Sequence, residues 1–205
     1  MENSRDNTAE ICGWVEADPH FSHSLYGERF FRFMLKVPRL SDCVDILPIT
    51  VSERLICPWL KKGCLIRLWG QLRSYNQYAP NANRLVLTIF ARDIQRIGRF
   101  ANPSNLLLLH GHICKEPIYR ITPFKREISD LLLAVNRAYH KSDYIPCIAW
   151  GRNARFAGEL KIGDEITIRG RMQSREYQKQ DEKGQPETRI AYEVSIAELA
   201  FVRSQ

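Results

Sequence analysis

Four aromatic residues, Tyr139, Tyr144, Trp150 and Tyr177, stand among Arg137, Lys141, Arg152, Arg155, Arg171, Arg175, Lys179 and Lys183 in the second half of this chain. Flat π-faces beside cations suit an unpaired nucleic-acid strand. Bases stack on the rings, worth ~1–3 kcal/mol per base, and phosphates meet the cations. Tyr144 and Trp150 are six residues apart, an even spacing that puts both on one face of a strand. Any one of these rings could instead fill a core. The polar and charged neighbours leave several of the four poorly placed for that role. In the first half, Tyr75 and Tyr78 beside Arg73 are the nearest counterpart, while Trp14, Trp59 and Trp69 read as core or interface residues.

Other chemistries find little support. The six cysteines, Cys12, Cys43, Cys57, Cys64, Cys114 and Cys147, include no C-x-x-C pair, and the five histidines are not spaced around them. Buried reduced thiols are expected rather than zinc or disulfides. Metal-assisted hydrolysis needs clustered carboxylates, and covalent catalysis needs a nucleophile beside a base. Neither pattern occurs, nor does a phosphate-cradling Gly-rich loop. No catalytic, cofactor-binding or metal-ligating residue is expected. The net charge of +7 and pI of about 9.2 lean toward a polyanionic partner. That charge divides as +4 over residues 1–104 and +3 over 105–205, so a basic surface must be built by folding. No run approaches the ~18 apolar residues of a membrane span, and residues 1–10 lack the pattern of a signal peptide. A cytoplasmic location is expected.

The elements that must position these rings emerge from an internal repeat. Gly13 and Gly111, Arg39 and Arg137, and Asp45-x-x-Pro48 and Asp143-x-x-Pro146 all lie 98 residues apart. Leu60-Lys61-Lys62-Gly63 matches Leu160-Lys161-Ile162-Gly163, and Gly70–Ser74 matches Gly170–Ser174, at an offset of 100. Gly, Asn, Pro and Ser cluster over Gly98–Asn105, and residues 99–105 read as a linker between units at 10–98 and 106–203. Each unit is predicted to be mostly β. Phe31–Val37 and Leu65–Trp69 read as strands in the first unit, and Ile166–Arg169 and Ile190–Ile196 in the second. A helical stretch, Arg152–Leu160, falls between the third and fourth strands of the second unit, and Pro58 limits its counterpart to a short turn. Five strands with a helix between the third and fourth is the OB-fold order, so the chain is predicted to be all-β, two tandem five-stranded Greek-key barrels.

Several motifs of the second unit resemble bacterial single-stranded DNA-binding proteins. They are His110-Gly111-His112-Ile113, Glu116–Pro123, Leu133–Arg137, Pro146–Ala154 and Ile168–Arg175, in family order. The resemblance implies that Tyr139, Tyr144, Trp150 and Tyr177 stack on bases of single-stranded DNA. The equivalent positions in the first unit, Ser41, Ile46, Ser52 and Gln77, hold no aromatic residue. The second unit is therefore expected to bind most of the nucleic acid. The first would supply architecture, an assembly surface and weaker contacts through Tyr75, Tyr78 and Arg73. The resemblance also implies a homodimer, giving four barrels, and a nucleoid-associated place in the cell. Many members of the family end in a flexible tail with an acidic, hydrophobic tip that recruits repair and replication enzymes. Residues 198–205 show no such tail, so recruitment of that kind is not expected. Two other readings of the same fold stay open, a protein-interaction module of the primosome-adaptor type and a single-stranded RNA binder.

Overall fold

β-Branched, aromatic and aliphatic residues alternate with polar ones along most of the chain, the pattern of a half-buried strand. In the computed structural model they form eleven strands. It describes residues 6–202, apart from 40, 42, 80–81, 99–103, 139–140 and 181–183. The first unit contains β1 (Asn7–Val15), β2 (His20–Leu25), β3 (Glu28–Pro38), β4 (Val44–Ser52), β5 (Leu65–Ala79) and β6 (Ala82–Arg96). The second contains β7 (Ser104–Ile121), β8 (Glu127–Arg137), β9 (Lys141–Trp150), β10 (Glu165–Gln180) and β11 (Pro186–Phe201). Ser104 and Asn105, which composition placed in the linker, are the first residues of β7.

Both units close in the same way. In the first, β1 pairs with β3 and β5, β3 with β4, β5 with β6, and β4 runs parallel to β6 at Ile49↔Ile89. In the second, β7 pairs with β8 and β10, β8 with β9, β10 with β11, and β9 runs parallel to β11 at Cys147↔Val194. Each is a closed five-stranded barrel of the OB type, since β1 and β2 together occupy the place of the single bent strand β7. Pro19 ends the gap between β1 and β2, whereas β7 crosses the same region through two register shifts. The connection after β4 holds a short 3-10 helix, Glu53–Leu55, and that after β9 holds α1 (Arg152–Gly158). Ala154, Ala157 and Leu160 are buried against the second barrel, as their spacing predicts.

Two glycines make closure possible. The ladders β5–β6 and β10–β11 each shift register at a glycine, Gly70 and Gly170. A Cβ there would collide with the carbonyl oxygen of Phe90 or Ser195. Prolines at the same place in both units mark another constraint. Pro48 and Pro146 lie inside strands, yet the parallel pairing on that side begins only at the next residue, Ile49 or Cys147. The missing amide proton therefore falls where little pairing is lost.

The inward rows fill the barrels with Phe33, Leu35, Leu47, Ile49, Leu68 and Ile89 on one side, and Leu109, Leu133, Ile145, Ile168, Met172 and Val194 on the other, all essentially inaccessible. Each such side chain contributes about 1.5–3 kcal/mol by leaving water. The two cores are continuous, because β1 and β7 pair antiparallel from Asn7↔Leu109 to Cys12↔Ser104 and join both barrels into one eleven-stranded sheet.

A pseudo-twofold set of polar contacts locks this seam. Asp45 (1% exposed) and Asp143 (0% exposed) occupy inward positions at the starts of β4 and β9. The Asp143 carboxylate accepts from the Ser74 amide at 2.7 Å and from Arg73 at 2.9 Å, both on the other barrel. The Asp45 carboxylate accepts from the Ser174 amide at 2.8 Å across the seam, and from its own barrel's Arg39 at 2.9 and 2.6 Å. Two asparagines extend the ladders past the glycine irregularities. Asn7 bonds the amide and carbonyl of Leu72 at 2.9 and 2.6 Å, and Asn105 does the same for Met172 at 3.0 and 2.7 Å.

Candidate nucleic-acid interface

On β9 the inward row Asp143-Ile145-Cys147-Ala149 alternates with an outward row that includes Tyr144, Pro146, Ile148 and Trp150. Tyr144 and Trp150 are 48% and 38% exposed, so the even spacing does put both rings on the outer face. Between them, Pro146 and the buried Ile148 continue an apolar track along the strand. The Gly151 amide bonds the Glu127 carbonyl at 2.9 Å, which turns the chain directly after Trp150 into α1. Gly151 takes this corner with a φ of 55°, a conformation costly for other residues.

A groove of about 470 Å³ opens beside Trp150. Arg171 and Arg175 come to it from β10, Arg126 from the β7–β8 turn, and Arg39 from the first barrel. Glu193 lies in the same groove and attracts Arg175 at 3.7 Å and Gln173 at 2.8 Å. Arg39 and Arg171 also face Asp45, at 2.6 and 3.5 Å. The hydrogen bonds to Asp45 push the Arg39 pKa up, while burial and the neighbouring Arg39 lower that of Arg171. Both guanidiniums stay charged at neutral pH. Arg126 has no ion-pair partner among the described residues, and its side chain is exposed.

The other residues predicted from sequence are distributed more widely. Tyr177, on β10, is half-buried with the Arg175 guanidinium 5.9 Å from its ring centre. Lys141 and Arg152 are exposed near opposite ends of β9. Arg155, on α1, is held by Glu127 at 2.8 Å. The Arg155 hydrogen bonds, and then that from Tyr119, keep the Glu127 carboxyl below its usual range. Arg137 faces Asp143 at 3.4 Å and Arg73 faces the same carboxylate at 2.9 Å, so both arginines serve the seam. Burial lowers the Arg73 pKa in spite of that bond. Tyr75 is half-buried, and its hydroxyl accepts a hydrogen bond from the Arg32 guanidinium. Tyr78 and Lys179 lie in strands, but their side chains fall outside the described residues, as do Tyr139 and Lys183 altogether.

Sequence reasoning missed Arg39, which reaches the second barrel's groove from the first, and Arg126. It also missed the first barrel's matching groove of about 590 Å³, to which Phe30, Phe90, Tyr75 and His23 contribute rings. Arg137 of the second barrel edges this groove, as Arg39 edges the other. The one signal available was the aromatic density of Phe30-Phe31-x-Phe33, which reads equally as a core strand.

Two closed OB barrels joined edge to edge, each with a groove that combines rings and guanidiniums, define a tandem OB-fold protein with surfaces suited to a flat, anionic ligand. Residues 104–202, the second barrel, match the model of the single-strand binding protein family. The single-stranded DNA-binding protein of Bacillus cereus is 36% identical over 38% of this chain and 51% of its own. The chain thus spans about half the length of the curated relatives it matches. The wild-type single-stranded DNA binding protein from Thermus aquaticus superposes on 97% of this chain and 94% of its own, with a TM-score of 0.79 and 20% identity, a likeness of fold. The dimeric structure of the N-terminal domain of PriB protein from Thermoanaerobacter tencongensis is 47% identical over 45% of this chain and 98% of its own, with a TM-score of 0.40.

Proposed function

We propose that this protein binds single-stranded DNA without sequence preference and protects it during replication, recombination or repair. The observation that carries this reading is the groove in which the Trp150 ring stands beside Arg39, Arg126, Arg171 and Arg175, within the unit that matches the single-strand binding family. A base would stack on Trp150 while its flanking phosphates meet the guanidiniums, and Tyr144 would take a further base along β9. Tyr139 and Tyr177, with Lys141, Arg152 and Lys179, would continue the path. The step is physical: counterions leave the phosphates and base–base stacking is exchanged for base–ring stacking. Every base has a π-face, so little sequence preference is expected, and duplex bases, already stacked, cannot lie on the rings. The working assembly we propose is a homodimer with four barrels, and sedimentation showing a stable monomer at micromolar concentration would refute it.

Titration of tryptophan fluorescence with oligo(dT), and with a duplex of equal length, tests the reading. Quenching by oligo(dT) alone is expected, with affinity falling at roughly −0.7 per neutralised phosphate in a log–log salt plot. Trp150→Ala should weaken binding by about 1–3 kcal/mol, roughly five- to 150-fold. No binding of oligo(dT) would reject the proposal and leave a protein-interaction role for the barrels. Tighter binding of oligo(U) than of oligo(dT) would turn it toward RNA.

A further inference from the structure

From the first barrel's groove we infer a second nucleobase-binding site, built from residues other than those that carry stacking in the second barrel; the inference rests on the single-strand-binding reading above. In the second barrel the exposed rings lie on β9 itself. In the first, the corresponding strand β4 turns Ile46, Pro48, Thr50 and Ser52 outward, and the rings have moved to its neighbours. Phe30 on β3 pairs in register with Ser52, where Ile128 pairs with Trp150. Phe90 on β6 lies beside Thr50, where Ser195 lies beside Ile148. Tyr75 occupies the β5 position that Arg175 holds on β10, each one residue beyond the seam serines Ser74 and Ser174. The two grooves are therefore the same place on two related barrels, one walled mainly by arginines and the other mainly by rings.

Three features of the first groove suit an unpaired base. Its volume, about 590 Å³, falls in the range of about 300–1,000 Å³ that holds a small organic ligand. Its rings adjoin one another: Phe90 lies tilted at 49°, 5.8 Å from the nearly buried Phe30, and the exposed His23 ring stacks on Phe30 at 5.0 Å with an interplanar angle of 18°. The outer face of that stack is where a base would continue it. Arg32 supplies the polar contact. Its guanidinium lies 5.3 Å from the Tyr75 ring centre, and its Nε–H is covered yet has no acceptor. A buried donor left unpaired is costly, and a base carbonyl or phosphate oxygen entering beside Tyr75 would give this Nε–H the acceptor it lacks, alongside the bond the guanidinium already donates to the Tyr75 hydroxyl. Arg137 reaches the rim from the second barrel, so a strand leaving the β9 face meets a cation on its way into the groove.

Photocrosslinking of the full chain tests the site, using oligo(dT) of roughly 30 nucleotides, more than the about 4–16 that one OB barrel covers, with 5-iododeoxyuridine in place of thymidine at single positions. Crosslinks are expected on peptides containing His23, Phe30 or Tyr75, in addition to those containing Tyr144 or Trp150. Crosslinks confined to second-barrel peptides would overturn the site while leaving the single-strand-binding reading intact. Failure of the wild type to bind the oligonucleotide at all would remove both. His23→Ala and Tyr75→Leu should each weaken binding of the same oligonucleotide about five- to fiftyfold. His23 stands exposed on β2, so its substitution leaves the barrel folded, and wild-type affinity in both variants would also overturn the site.

Discussion

At the scale of single residues, position decides what a side chain type can do. All six cysteines are free thiols, yet they differ in environment. Cys43 is exposed, whereas Cys12 and Cys147 are buried on β1 and β9. Burial pushes the thiol pKa of Cys147 far up, and burial raises that of Cys12 against the lowering influence of Arg67. The thiolate is the reactive form, so titration of the native protein with a disulfide reagent should modify Cys43 and spare Cys12 and Cys147 until a denaturant is added. Rapid labelling of Cys147 in the folded state would show that β9 opens, and with it the face that carries Trp150. The arginines make the same point. Arg73, Arg137 and Arg171 are indistinguishable in sequence from Arg126, but carboxylates of the seam already attract the first three.

At the scale of elements, the alternation of each strand selects which residues can reach a ligand, and the closure of the barrel holds that choice in place. β4 and β9 share an inward row and a mid-strand proline, and they differ on the outward row, where Ser52 stands in place of Trp150. The register of their neighbours depends on the irregularities at Gly70 and Gly170. An alanine at either position must displace the opposing strand, β6 at Phe90 or β11 at Ser195. Gly70→Ala and Gly170→Ala should each cost about 1–3 kcal/mol, as overpacking of a closed interior does. The measurement is the urea midpoint at unchanged slope, and a wild-type midpoint in both variants would contradict this account of closure. Because β6 carries Phe90, Gly70→Ala should also disturb the first barrel's groove.

At the scale of the whole molecule, two barrels behave as one body because the seam is both a strand pairing and a charge lock. Removing Asp143 leaves Arg73, only 19% exposed, without its counter-charge and the Ser74 amide without its acceptor. Breaking a buried pair in this way costs about 3–5 kcal/mol. Asp143→Ala, and by symmetry Asp45→Ala, should lower the unfolding free energy by that amount in chemical denaturation. Asp143→Asn keeps an acceptor for the Ser74 amide and should lose less. A loss under about 1 kcal/mol for Asp143→Ala would mean that strand pairing alone holds the barrels together, since that is the typical worth of an exposed pair.

Much of this was present in the order of residue types. Periods of two, glycines at matching offsets and the helix before Leu160 determine two barrels, because backbone geometry and apolar alternation are local properties. The even spacing of Tyr144 and Trp150 likewise determines that they share a face. The role of Asp45 and Asp143 was half visible, as a charged residue heading an otherwise apolar inward row and recurring in both units. Its partners Ser74 and Ser174 lie on the other barrel, so no local pattern could supply them. The groove of the first barrel was invisible for the same reason. Phe30, Tyr75 and Phe90 come from three strands scattered along the unit, and only closure of the barrel brings them to one place. Which arginines already face a counter-charge was also decided by the tertiary structure. Coulomb attraction depends on distance through space, and the seam brings acidic residues to some arginines and leaves Arg126 to the solvent.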